Sequence, residues 1–325
     1  MTASNHTLLN VQDLTTYYKL PQGYVKAAED ISFKLEKGDA LGLAGESGCG
    51  KTTVALSIMR LLPPEGRIVG GKCLFKNFDL TKLSEEEMRK EIRWKKISIV
   101  FQGAMNALNP IFKVSDQIVE AILNHEKTTK EEARQRAAKL FEMVGIDPSR
   151  IDNYPFEFSG GMRQRALIAM ALACNPEILI ADEPGTALDV IVQAQILKLL
   201  RNLKDKLGLT LIIISHDLSL IAEICNKIAI MYAGRIVEYG NIIKIYKESL
   251  HPYTQGLMMA FPSIKGPRVR MTSIPGSPPN LLSPPQGCRF NLRCKYAMEA
   301  CMKEQPTLEQ VGEDHWVACH LVHKR

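Results

Sequence analysis

Residues 45–53 read GESGCGKTT, and the spacing G-x-x-x-x-G-K-[ST], met by Gly45, Gly50, Lys51 and Thr52, constrains the surrounding fold more than any other feature of the chain. Such a loop has to join a strand to a helix. The apolar run ALGLA (40–44) precedes it and the helix-like VALSIMRLL (54–62) follows it. Gly45, Gly48 and Gly50 allow a sharp turn that aims backbone N–H groups inward, and the start of the following helix, expected over 52–61, adds positive partial charge. The loop formed by Gly45, Glu46, Ser47, Gly48, Cys49, Gly50, Lys51, Thr52 and Thr53 is therefore a candidate phosphate cradle. Lys51 would reach the β- and γ-phosphates, and the Thr52 hydroxyl would be a ligand of Mg2+. The alternative, a glycine turn that binds nothing, does not account for the strand before it and the helix after it.

Further runs extend this unit into an alternating α/β pattern. Strands are expected at 28–36, 39–45, 96–102, 177–184, 209–217 and 227–240, several of them continuously apolar, as in a largely parallel sheet covered on both faces. VIVQAQILKLLRNLKDKL (190–207) reads as a helix, and 116–146 as helices without a strand, which makes 103–175 a helical insertion. After residue 246 the prolines at 262, 267, 275, 278, 279, 284 and 285 argue against a helix or central strand and for an extended, stiffened connector. The division expected is 1–246 and 247–325.

Bulk properties narrow the class without naming a partner. No run approaches the ~20 apolar residues of a membrane helix, and the first ten residues lack the basic and apolar regions of a secretory signal. The chain therefore reads as soluble and cytosolic. Its net charge of +6 is scattered, and the basic cluster RKEIRWKK (89–96) reads as a solvated helix face, not a nucleic-acid groove.

Two carboxylates end the run ILIADEP (178–184). Asp182 would hold Mg2+, and Glu183 points elsewhere and would polarise an attacking water. His216 follows the apolar IIIS (212–215), where an imidazole would hydrogen-bond a γ-phosphate. In FSGGMRQRALIAMAL (158–172), Ser159, Gly160 and Gly161 open a helix and make a second anion site. One chain thus carries two half-sites for one triphosphate, which is resolved if two subunits face each other.

With these motifs in this order, the chain resembles the ATPase subunits of ATP-binding-cassette (ABC) transporters over nearly its whole length. The resemblance makes GESGCGKT the Walker A loop, Phe101-Gln102 the Q-loop, FSGGMRQR the signature, ILIADEP Walker B, TALD (186–189), ending in Asp189, the D-loop, and His216 the switch histidine. It implies an α/β P-loop ABC-type nucleotide-binding domain, with a RecA-like core plus an antiparallel β portion, a helical subdomain and a small cysteine-containing C-terminal extension. It also implies Gln102 as a further Mg2+ ligand and a stacking aromatic for adenine, Tyr17 or Tyr18, with Tyr18 preferred. In two places the chain departs from relatives: Gly103-Ala104 stands where Asp-Pro is usual, and Gly185 where threonine is usual, which would loosen the approach to the D-loop.

The segments at 251–262, 276–290, 293–301 and 315–320 resemble the C-terminal extension of dipeptide and oligopeptide importer ATPases. That branch implies a second, paralogous ATPase subunit arranged head to tail, two transmembrane permease subunits, an external solute-binding protein and residence at the cytoplasmic face of the membrane. Nickel or oligosaccharide is the alternative cargo. A soluble ABC ATPase acting on nucleic acid or ribosomes is the alternative class, disfavoured because the chain has one cassette and no long coiled-coil insertion.

Four of the eight cysteines, Cys288, Cys294, Cys301 and Cys319, crowd the last 38 residues with spacing C-x5-C-x6-C-x17-C. In a cytosolic chain this favours metal over disulfides, though the spacing lacks the paired C-x2-C of common zinc sites. The resemblance implies a [4Fe–4S] cluster, with Zn2+ or free thiols as alternatives. Cys49, inside the glycine loop, reads as inert packing near a helix start that could lower its pKa.

Overall fold

The computed structural model describes residues 7–103, 107–186, 188–260 and 274–323. Among these, the strands in chain order are β1 (Thr7–Leu20), β2 (Gly23–Glu36), β3 (Ala40–Ala44), β4 (Gly66–Phe75), β5 (Phe78–Asp79), β6 (Ile97–Val100), β7 (Ile178–Asp182), β8 (Thr210–Ile214), β9 (Lys227–Tyr232), β10 (Arg235–Asn241), β11 (Glu309–Gly312) and β12 (His315–Val317). The chain divides into two compact units. One comprises Met1–Glu36, Ala40–Lys82 and Ser215–Arg325, and the other Lys37–Asp39 and Leu83–Ile214.

The first unit holds an antiparallel sheet in the order β2-β1-β4-β5. It also holds the run β11-β12-β10-β9-β3, in which β3 pairs parallel with β9 and the remaining pairs are antiparallel. All five residues of β3 are buried, as befits a strand covered on both faces. The apolar run at 227–240 is a hairpin, not one strand. Ala233 and Gly234 both have positive φ (48° and 84°), the requirement of a two-residue type I′ connection. The helix Lys51–Met59 starts one residue before the sequence expectation and stops at Arg60, whose left-handed backbone returns its N–H to Leu56 and Ser57 carbonyls.

In the second unit the parallel strands lie in the order β8-β7-β6, and every residue of β7 and β8 is buried. The helix Val190–Leu207 has the bounds its periodicity predicts. Asp189 caps its start by accepting from the Val192 N–H, Gly208 ends it at φ 62°, and Ile196, Leu197, Leu200 and Leu203 form its buried stripe. The strandless insertion contains Val114–His125 and Lys130–Met143. The second of these begins with a reciprocal capping box between Thr129 and Glu132. Burying Ile118, Ile122 and Phe141, each 0 % exposed, contributes about 1.5–3 kcal/mol apiece and holds these helices together. The basic cluster at 89–96 is only partly a solvated face. Met88 and Ile92 bury the inner side of a turn, Arg93 forks onto Glu85, and Lys96 meets Glu177 at 3.3 Å.

The segment after 246 departs from the expected extended connector. Residues 252–260 form a helix with Pro252 at its first position, where a missing N–H costs nothing. Strand β12 then adds to the edge of β10 through Glu238↔Val317 and Gly240↔His315. Residues 274–287 form neither helix nor strand, as the prolines require. Pro262 and Pro267 lie outside the described residues.

Candidate nucleotide site

In the first unit, β3 delivers the chain into the glycine loop. Gly45 (φ 147°) and Gly50 (φ 102°) are there of necessity: a Cβ would stand 2.1 Å from the Met231 carbonyl oxygen at Gly45 and 2.0 Å from that of Ala27 at Gly50. Gly50 is the N-cap of the helix Lys51–Met59 and brings no side-chain cap, so the N–H groups of the first turn are available to an anion. Lys51 is 6 % exposed and folds back on its own loop, donating to the carbonyl oxygens of Gly45 (2.7 Å) and Glu46 (3.1 Å). Thr52 is exposed and Thr53 buried. Ser47 and Gly48 are exposed. The Cys49 thiol, 4 % exposed, is pushed up by burial more than Lys51 pulls it down, so the packing reading holds and the lowered pKa does not.

The two tyrosines separate cleanly. The Tyr17 hydroxyl donates to Glu29 (2.9 Å), inside a cluster with Arg235 and Arg289, and burial together with Glu29 pushes its pKa up to about 12. The Tyr18 hydroxyl lies 3.3 Å from that of Thr53. Tyr18 is thus the tyrosine next to the glycine loop. His216, also in this unit, is exposed, and the next residue, Asp217, caps the helix Leu218–Ile224.

In the second unit, β7 ends at Asp182, which is 1 % exposed. Glu183 follows with φ 46°, a left-handed backbone that ends the strand geometry. One Glu183 oxygen accepts from the Gln102 amide (2.7 Å) and the Thr186 hydroxyl (2.9 Å). Sequence reasoning had no signal for the Thr186 contact. Gly185 does not loosen this turn. A Cβ there would stand 2.4 Å from Gln193 Cγ, so the glycine permits a close approach to the helix Val190–Leu207. Gly103 takes φ 67°; Ala104, and Ala187 of the D-loop, lie outside the described residues.

The helix Gly160–Ala171 opens as its sequence predicts. Ser159 is exposed and its hydroxyl accepts from the Met162 N–H at 3.3 Å. Gly160 is the first helical residue, and Gly161 lets the helix approach Val192, whose Cγ1 would lie 2.6 Å from a Cβ at 161. One oxygen of Asp189 caps its own helix. Beside it, Val190 and Ile191 are 80 % and 73 % exposed.

For Mg2+, the chemistry of the donors fits: the Thr52 hydroxyl, the Asp182 carboxylate and the Gln102 amide are hard oxygen ligands, and Mg2+ keeps several waters. For iron–sulfur or zinc the outcome differs from expectation. Burial pushes the Cys288 thiol up to about 12 and raises those of Cys294 and Cys319, and neighbouring tail thiols add to each shift. Yet among the described residues no group of three or more His, Cys, Asp or Glu side chains is placed to hold a metal ion. A cage needs all its sulfurs at bonding distance at once, so the arrangement lends no support to the [4Fe–4S] cluster or to zinc.

A residue that sequence reasoning missed is Arg293. Its guanidinium makes a two-pronged bridge to Glu46 inside the glycine loop, Nη1 to Oε2 at 2.7 Å and Nη2 to Oε1 at 2.9 Å. The Tyr253 hydroxyl accepts from the Glu46 N–H at 3.0 Å. No spacing rule links positions 247 residues apart.

A strand, a glycine loop that folds a lysine back on its carbonyls and an uncapped helix start define a phosphate-binding loop of the P-loop class. Comparison with known proteins makes that class specific. Residues 28–186 match the ABC transporter family model, and residues 237–301 that of the oligopeptide/dipeptide transporter C-terminal region. The dimeric structure of the ATP-binding cassette MJ0796 in a post-hydrolysis state with ADP and Pi is similar, with a TM-score of 0.64 and 28% identity over 72% of this chain and 98% of that one. Among relatives, the oligopeptide transport ATP-binding protein OppD of Bacillus subtilis is 46% identical, covering 97% of this chain and 89% of its own. The dipeptide transport ATP-binding protein DppD of the same organism is 45% identical over 98% and 96%. The chain belongs to the ATP-binding subunits of oligopeptide and dipeptide ABC transporters, and it is an ABC ATPase. Among the described residues no helix is long and apolar enough to cross a membrane.

Proposed function

We propose that this chain binds and hydrolyses ATP to drive import of di- or oligopeptides through a membrane transporter. It would do so from the cytoplasmic face, paired head to tail with a second, paralogous ATPase subunit and docked on two permease subunits fed by an external solute-binding protein. The observation that carries the ATPase reading is the glycine loop itself: Lys51, buried and bonded to two neutral carbonyls and the Cys49 sulfur of its own loop, is poised to exchange them for phosphate oxygens. Similarity to OppD and DppD over nearly the whole chain supports the peptide cargo.

In this reading residues 45–53 wrap the phosphates, with Tyr18 stacking on adenine. Thr52, Asp182 and Gln102 would hold Mg2+, which when bound neutralises charge on the phosphate oxygens. Glu183 accepts a proton from the attacking water, and Gln102, already bonded to Glu183, carries the state of that carboxylate to the Q-loop. His216 orients the γ-phosphate side. Ser159, Gly160 and Gly161, with Asp189, serve the partner subunit's ATP, and the exposed Val190 and Ile191 beside Asp189 suit a surface that a partner covers. Residues 1–246 carry the chemistry, residues 103–175 form the helical subdomain that meets the permeases, and 247–325 form the extension.

A finer reading keeps a metal staple in that extension. It is supported by the crowding of four thiols in the last 38 residues and by the influence of the other three on Cys288, not by a formed cage. Anaerobic purification with iron, sulfide and zinc analysis tests it. About four irons and four sulfides per chain, lost in C288S, support a cluster; metal-free protein removes it and leaves the ATPase reading intact.

The test of function is reconstitution. With its permease subunits in vesicles, the chain should hydrolyse ATP faster when peptide-loaded binding protein is present, and peptide should accumulate. Copurification with RNA in place of permeases, with hydrolysis indifferent to peptide, would overturn the assignment.

A further inference from the structure

The Arg293–Glu46 bridge lies outside every role assigned above, and its geometry is unusually complete. The five N–H donors of an arginine are all engaged here. Nε donates to the Pro275 carbonyl (2.8 Å), Nη1 to Glu46 (2.7 Å) and the Tyr232 hydroxyl (3.3 Å), and Nη2 to Glu46 (2.9 Å) and the Ile274 carbonyl (3.3 Å). The side chain is 5 % exposed, and its guanidinium carbon lies 5.6 Å from the centre of the Tyr232 ring. All these residues belong to the first unit.

Glu46 is an awkward residue for a phosphate cradle. Its carboxylate belongs to the second residue of the loop, between Gly45 and Ser47, where a triphosphate of like charge must sit. Its backbone is meanwhile in use, the carbonyl accepting from Lys51 and the N–H donating to Tyr253. Unpaired, the carboxylate would repel the ligand and compete for Lys51. A two-pronged arginine removes both hazards by neutralising the charge and fixing where it points.

We propose that Arg293 is a positioning residue for ATP binding: through Glu46 it holds the glycine loop open to the triphosphate, so that the C-terminal extension is part of the nucleotide site. The inference rests on the reading of residues 45–53 as the phosphate loop. It assigns Arg293 no contact with ATP. It also separates two roles that position alone would merge, since Arg289, four residues earlier, bridges to Glu29 and the Ala233 carbonyl and fastens the same tail without touching the loop.

The experiment is a calorimetric titration of the full chain with the magnesium complex of a non-hydrolysable ATP analogue. R293A should weaken binding about tenfold. Adding E46Q to R293A should restore it to within about threefold of wild type, because the uncompensated carboxylate is gone. R293K, which keeps the charge but not the fork, should fall between. R293Q carries the same expectation as R293A should the smaller side chain prevent folding. A merely structural role would lower the melting temperature in R293A without rescue by E46Q. Wild-type affinity in folded R293A, or a double variant no better than R293A, overturns the proposal. K51A separates the layers: if it binds as tightly as wild type, the phosphate-loop reading itself fails, and the inference with it.

Discussion

Two glutamates sit beside the candidate chemistry and are held in opposite ways. Glu46, in the glycine loop, is gripped by both prongs of a buried guanidinium whose every donor is used. Glu183, after β7, is held by a side-chain amide and a hydroxyl from two exposed residues, Gln102 and Thr186. The contrast suits the proposed mechanism. There, a carboxylate that must not face the phosphates is fixed by a two-pronged charged bridge to a buried guanidinium, whereas one that must trade partners during a turnover accepts bonds from an amide and a hydroxyl that water can replace.

The largest expected effect falls on the exchangeable side. E183Q should keep nucleotide affinity and lose steady-state turnover by ~100-fold or more, the scale of a general base; a rate near wild type in a phosphate-release assay would strip Glu183 of that role. Q102A should cost less, about tenfold in turnover with affinity within a factor of two or three, since it removes an aligner and leaves the base in place. On the fixed side, Y18A should weaken ATP binding severalfold through lost stacking, whereas Y17A should leave affinity alone and lower the melting temperature, because Tyr17 is committed to Glu29. A matching loss of affinity in both variants would erase the distinction between them.

The smallest effect concerns pH and the tail that carries the clamp. His251 is buried, its Nδ1 accepts from the Tyr253 N–H, and burial lowers its pKa to about 4 despite the nearby Glu238. Glu238 in turn accepts from the N–H groups of Leu250 and His251 and meets His315 Nε2 at 2.8 Å. A depressed histidine pKa means that the unfolded chain takes up the proton first. The contribution is complete above the unfolded pKa of ~6.5 and declines as pH falls toward 4, by roughly 2–3 kcal/mol at pH ~4.5. Melting curves of wild type and H251Q over that range should converge on acidification. Parallel curves would show that His251 is not the group responsible.

Much of this was legible in the sequence, for local reasons. Strands β3, β7 and β8 are continuous apolar runs, the helix Val190–Leu207 carries its own caps, and the glycine loop and Ser159-Gly160-Gly161 are short motifs whose chemistry is fixed by neighbours. What stayed hidden was distributed. Strands β1 and β4 escape a search for apolar runs because polar residues interrupt their buried ones and β4 contains three glycines. The helix Pro252–Ala260 is obscured by the prolines that follow it from 262 onward, which mark the whole segment after 246 as extended although all of them lie beyond the helix. Arg293 had no signature at all. Its partner lies 247 residues earlier in the chain, and only the folded tail brings the two together. The tail cysteines teach the converse, since among the described residues their crowding in sequence places no group of three or more to hold a metal ion.

The most direct test of the central claim, that residues 45–53 hold the phosphates, is the thermal stability of the full chain with and without MgATP. A ligand at ~100 times its Kd adds about 2.7 kcal/mol to the folded state, so the wild-type midpoint should rise by several degrees and that of K51A should not move. A K51A midpoint that rises as far as the wild type would contradict the account.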